Sequence, residues 1–77
     1  MNLKVKYFGL IAEITNCSEE TIAFSKQTVS ELLDMIFNKY PALKHKDFKV
    51  AQNMQLVHVD TKITTPEIAL LPPFSGG

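Results

Sequence analysis

Glu67-Ile68-Ala69-Leu70-Leu71 is almost uninterrupted in its apolar character, and it runs without a turn residue into Pro72-Pro73-Phe74-Ser75-Gly76-Gly77. A compact apolar run of strand length suits a position central to a sheet. Pro72 and Pro73 then fix φ and remove backbone donors, so they stop the strand and hold the start of the tail extended. The sequence therefore predicts a domain over residues 1–71 whose last strand continues into a C-terminal tail over residues 72–77.

The tail ends in two residues without side chains and a bare carboxylate. Lacking Cβ atoms, Gly76 and Gly77 let the backbone enter a slot too narrow for other residues, and they leave the terminal carbonyl carbon open to attack. From Pro72 to the tip the chain can span roughly 20 Å at about 3.3–3.6 Å per residue, enough to reach a pocket inside another protein. The terminal carboxylate of Gly77 is thus the candidate working group, with Pro72, Pro73, Phe74, Ser75 and Gly76 as the segment that a partner's channel would hold.

Working back from the tail, residues 2–8 alternate, with Leu3, Val5 and Tyr7 on one face and Lys4 and Lys6 on the other. This period of two predicts a half-buried first strand. Phe8 falls on the lysine face, out of pattern, and is expected at the strand end in an exposed apolar patch. Leu10 to Ile14 reads as a short helical turn that Asn16 can close in left-handed geometry. Glu20 to Phe24 alternates again and predicts a hairpin partner for the first strand. Between Thr28 and Tyr40, the apolar residues Val29, Leu32, Leu33, Ile36, Phe37 and Tyr40 share one helical face, which reads as core. Thr28 with Glu31 three residues on forms a capping box, and Pro41 ends the helix. Lys44 to Asp47 reads as a polar linker. Two short strand-like runs, 48–51 and 55–59, flank Asn53-Met54, where Asn53 suits a turn. Asp60 to Pro66 reads as an irregular connection. Two strands, a helix across the sheet, short strands and a last strand beside the first make the β-grasp (ubiquitin-like) arrangement, an α+β fold with a mixed sheet and one main helix packed across one face.

Composition narrows the function. The chain has 77 residues, 45% of them hydrophobic and 21% charged, which fits one small folded domain with no room for a large catalytic cleft. Its eight basic residues are all lysine and balance eight acidic ones, so it has neither a basic face nor the arginine fork for phosphates, and nucleic acid is not an expected partner. No apolar stretch approaches membrane-spanning length, so no membrane association is expected. Cys17 is the lone cysteine, its neighbours Glu19 and Glu20 disfavour a thiolate, and the expected compartment is the reducing cytoplasm. His45 and His58 share no ligand spacing with Cys17 or each other, so no metal site is expected. The lysines, aspartates and glutamates read as a solvated surface.

The closing Leu70-Leu71-Pro72-Pro73-Phe74-Ser75-Gly76-Gly77 resembles the tail of the small, sulfur-carrying subunit of molybdopterin synthase, which ends in an apolar pair, Pro-Pro, an apolar residue, a small polar residue and Gly-Gly. Lys4-Val5-Lys6-Tyr7-Phe8 is similar to that family's opening strand, Thr28-Val29-Ser30-Glu31-Leu32-Leu33 to its helix start, and Asn53-Met54-Gln55-Leu56-Val57 to its hairpin. The resemblance implies a non-catalytic carrier that binds no cofactor itself. Its Gly77 would be adenylated, at the expense of ATP, by a ubiquitin-activating-type adenylyltransferase and converted to a thiocarboxylate. The tail would then enter the large synthase subunit, within a heterotetramer, and give sulfur to cyclic pyranopterin monophosphate. It also implies an apolar partner surface comprising Phe8, Leu56 and Leu71, with Phe74 as an anchor; Leu56 fits a core position equally well.

The chain departs from the family pattern in two loops. Ala12-Glu13-Ile14 stands where the family has Arg-Glu-Leu, and Thr65-Pro66 where it has Gly-Asp. Three other functions share parts of the pattern: a sulfur carrier for thiamine thiazole or another pathway, a ubiquitin-like modifier that forms isopeptide bonds, and an interaction module with an inert Gly-Gly end. Carriers for other pathways generally lack the Pro-Pro-Phe lead-in.

Overall fold

The computed structural model describes residues 1–73, in the order β1 (Asn2–Tyr7), α1 (Leu10–Thr15), β2 (Glu19–Ala23), α2 (Val29–Lys39), a 3-10 helix (Pro41–His45), β3 (Lys49–Gln52), β4 (Gln55–Val57) and β5 (Glu67–Leu71). The strands form one sheet in the order β2-β1-β5-β3-β4. β5 is central, as its apolar run predicts, and it pairs parallel with β1 and antiparallel with β3. The sheet is mixed, and the fold is the β-grasp.

Alternation assigns the two faces of the sheet. Leu3, Val5, Tyr7, Val50, Ile68 and Leu70 are buried on one face, where they meet Val29, Leu32, Leu33 and Ile36 of α2 in a single core cluster. Phe37 and Tyr40 continue the helical stripe but are only partly buried. Among the described residues, no helix covers the other face.

α2 begins as its capping box predicts. The Glu31 N–H donates to Thr28 Oγ1 at 3.3 Å, and the Thr28 N–H donates to Glu31 Oε1 at 3.0 Å. The next orphaned donors of the first turn, the N–H groups of Val29 and Ser30, find the carbonyls of Thr61 and Val59 at 3.0 and 2.8 Å. The irregular connection before β5 is thereby fastened to the helix start. Gln52, buried, fixes the same connection by donating to the Lys62 carbonyl at 3.1 Å and accepting from the Thr64 N–H at 2.8 Å.

Three local readings are corrected. The segment read as a polar linker from Lys44 is partly a 3-10 helix beginning at Pro41, ordered because Leu43 is fully buried. The second strand-like run stops at Val57, leaving Val59 exposed. Glu20, grouped with the solvated charges, sits on the covered face instead, where its carboxylate accepts from Tyr7 Oη at 2.6 Å, Tyr40 Oη at 2.8 Å and Lys39 Nζ. Burial pushes the Glu20 pKa up, but the hydrogen bonds from Lys39, Tyr7 and Tyr40 outweigh it and hold the carboxyl below its ordinary range. Both tyrosine hydroxyls move the opposite way, raised by burial and by the same carboxylate.

Two turns use left-handed backbone. Asn16 closes α1 at φ 61°, as its residue type allows. The β3–β4 hairpin turns on Asn53 at φ 55° and Met54 at φ 65°. Asparagine accepts this region readily, whereas a side chain such as methionine's costs roughly 1–2 kcal/mol there. Among the described residues, no helix is long and apolar enough to cross a membrane.

Candidate functional site

The tail leaves from the middle of the sheet. The Phe8 N–H donates to the Leu70 carbonyl at 3.2 Å, carrying the β1–β5 pairing to the last residue before the strand ends. Beyond it the chain passes directly over Gly9, which has φ 59° and ψ −134° and opens α1. A Cβ built on Gly9 would stand 2.8 Å from Pro72 Cγ, closer than atoms of a real side chain approach a ring carbon. Gly9 therefore allows two things at once, a left-handed start to α1 and the close passage of Pro72. Sequence reasoning missed this residue; a glycine between a strand and a helical turn was the available signal.

Pro72 and Pro73 then line a small apolar groove of about 240 Å³ with Leu10, Ile11 and Ile14, and Lys46 and Asp47 complete its rim. Pro72, half-buried against Gly9, and the exposed Pro73 after it give the tail a stiff root. Phe74, Ser75, Gly76 and Gly77, the remaining tail residues singled out from sequence, lie outside the described residues.

The open face of the sheet brings the other predicted site residues together. Lys6, Ala69, Ala51 and Leu56 form one row across β1, β5, β3 and β4. Leu71, opposite Lys49, lies one step nearer the tail, level with the point where Phe8 leaves β1. Phe8 is 43% exposed and Leu56 is 55% exposed, so Leu56 is no core residue; Leu71 is half-buried. Four charges on this face form two ion pairs, while Lys49, exposed opposite Leu71, adds a further positive charge. Lys6 pairs with Glu67 at 3.3 Å and Lys4 with Glu19 at 3.6 Å, all partly solvated. Beside the pairs, toward β3 and the root of the tail, Phe8, Ala69, Leu71, Ala51 and Leu56 form an apolar surface, the form of patch that marks protein–protein contact.

The fold in which β5 runs into Pro72-Pro73, with an apolar face beside it, is one that known proteins share. The profile of the ThiS family matches residues 5–77. The chain belongs to the ThiS family. It is 35% identical to the molybdopterin synthase sulfur carrier subunit of Caenorhabditis briggsae over an alignment that takes in 100% of this chain and 99% of that protein. Among solved structures, the small archaeal modifier protein 1 of Haloferax volcanii superposes with a TM-score of 0.80 at 21% identity, covering 95% of this chain and 98% of that one, a likeness of fold. A protein–protein complex of subunits 1 and 2 of molybdopterin-converting factor from Helicobacter pylori contains a chain matched at a TM-score of 0.67 and 28% identity, with 100% of both chains covered. The β-grasp expected from the element order is the fold this ThiS-family chain shares with these structures.

Proposed function

We propose that this ThiS-family chain is the sulfur carrier subunit of a molybdopterin synthase, a non-catalytic protein that delivers sulfur from its C-terminal Gly77. The observation that carries the reading is the full-length match to a relative of that name, joined to a Gly-Gly end placed after a rigid Pro72-Pro73 root.

The chemistry is set by the terminal group. A carboxylate is a poor electrophile, because its charge repels nucleophiles and oxide is a poor leaving group. Attack of the Gly77 carboxylate oxygen on the α-phosphorus of ATP, with loss of pyrophosphate, gives an acyl adenylate. Hydrosulfide furnished by a sulfur donor then attacks the carbonyl carbon, the acyl C–O bond breaks with AMP as the leaving group, and loss of the thiol proton leaves the thiocarboxylate. That species is nucleophilic at sulfur and stable enough to travel between enzymes. The adenylating step belongs to a partner of the ubiquitin-activating type, and the acceptor step to a larger subunit that receives the tail. Confinement of the loaded tip beside the pterin precursor, cyclic pyranopterin monophosphate, converts sulfur transfer into an effectively intramolecular event. Phe8, Leu56, Leu71 and the anchor Phe74 grip the partner, while Ser75, Gly76 and Gly77 enter its channel. The complex of subunits 1 and 2 described for the Helicobacter pylori relative supports an arrangement of this kind.

Incubation with an activating enzyme of this type, ATP and a sulfur donor, followed by intact-mass measurement, tests the reading. The expected product is heavier by the exchange of one oxygen for sulfur, and a chain lacking Gly77 gains nothing. Unchanged mass in the full chain, or equal loading without Gly77, overturns it. Attachment to lysines of other proteins, seen as conjugates of higher mass, would place the chain among protein modifiers instead.

A further inference from the structure

The tip of the β3–β4 hairpin holds the most exposed large apolar side chain among the described residues. Met54 is 99% exposed, and it occupies a left-handed position that glycine adopts without strain. Neither feature helps the isolated domain. Its side chain contributes no burial, and its backbone conformation is one that a Cβ disfavours. The position matters outside the fold, at a surface groove that Met54 helps to line. Met54 forms one wall of an open groove of about 600 Å³ whose other apolar walls include Phe8, Ala51, Pro66 and Ala69. Phe8 belongs equally to the apolar surface at the tail root, so the groove extends that surface toward the hairpin tip. The charged residues of the groove, Lys6 and Glu67, are paired with each other.

We propose that Met54 is a specificity-determining contact of the docking face, closing a groove that takes an uncharged apolar protrusion of the larger, tail-receiving subunit. The inference rests on the reading of this chain as the carrier in a two-subunit synthase and names which part of that face selects the partner. The self-paired Lys6 and Glu67 leave no charge for the partner to match, which selects an apolar occupant over a charged one. Methionine suits such a contact because its unbranched, polarisable side chain adapts to the surface it meets. The strained turn presents that side chain at the edge of the groove at the cost of the domain's own stability.

The test is to titrate the larger subunit from the same source against the full chain and its M54G, M54L and F8A variants by calorimetry, with a thermal melt of each variant. The expected M54G protein melts no lower than the parent, since glycine relieves the turn, yet binds roughly five- to tenfold more weakly. M54L, which keeps an apolar side chain, binds within about twofold of the parent. Parental affinity in M54G, with F8A weakened, overturns the role of Met54 and leaves the carrier reading standing. No binding by the parent chain overturns both. A lower melting temperature in M54G overturns the premise that methionine strains this turn, and the proposal with it.

Discussion

The two faces of the sheet are built from the same strands and differ in every other residue. On the covered face, Leu3, Val5, Tyr7, Ile68 and Leu70 are closed off by α2. On the open face, Lys4, Lys6, Phe8, Glu67, Ala69 and Leu71 alternate with them, and no helix among the described residues covers them. The covered face supplies the stability of a 77-residue chain with few residues to bury. The open face contributes little to folding and is available for recognition. Because β5 serves both faces and then runs into Pro72, the core positions the root of the tail directly.

The sharpest way to break this contrast is to weaken the covered face. Ile68, fully buried in central β5, should cost about 2–5 kcal/mol on substitution by alanine, read as a lowered urea midpoint. An effect under about 0.5 kcal/mol would mean that the burial pattern does not describe the core. Next comes the joint between body and tail. Gly9→Ala forces a Cβ into Pro72 and strains a left-handed residue, so a loss of about 1–3 kcal/mol is expected, together with slower sulfur loading as the root shifts. Parental stability and loading would show that the close passage is dispensable.

A smaller loss is expected at the polar rim of the covered face. Glu20→Gln removes the charge from hydrogen bonds with Lys39, Tyr7 and Tyr40 and should cost about 1–2 kcal/mol at neutral pH. Glu20's pKa is lower folded than unfolded, so its contribution is present above the ordinary carboxylate range and is lost as pH falls through the folded value. Parent and variant stabilities should therefore converge as pH falls below the ordinary carboxylate range. A gap that stays constant down to acid pH would assign the effect to packing. The smallest effect on stability belongs to the open face. Phe8→Ala should change it by less than about 0.5 kcal/mol while weakening the larger subunit's binding tenfold or more. A large loss of stability would place Phe8 in the core, against its exposure.

The features legible in sequence are those with a period or a fixed residue requirement. Leu3, Val5 and Tyr7 declared a strand and its buried side, and Thr28 with Glu31 declared the start of α2. The apolar run of β5 declared its central place, and Phe8 stood out because it broke an alternation. Leu43 gave no such signal, since a single apolar residue after Pro41 carries no period, and the 3-10 helix it anchors was read as a linker. The contacts of Glu20 were hidden because they join β2 to residues at the ends of β1 and α2, a proximity created only by the fold. Gly9 was overlooked for a related reason. Its partner, Pro72, lies at the other end of the chain, and only the parallel pairing of β1 with β5 brings the two together. Leu56 was ambiguous until the register placed it on the open face beside Ala51.

The decisive measurement uses sulfur-loaded protein, the larger synthase subunit and cyclic pyranopterin monophosphate, and tracks dithiolene formation against the loss of sulfur from the carrier. If the sheet is a handle and its central strand a delivery arm, each loaded chain surrenders one sulfur to the pterin, and a chain lacking Gly77 supports none. Equal product from the shortened chain would contradict the account.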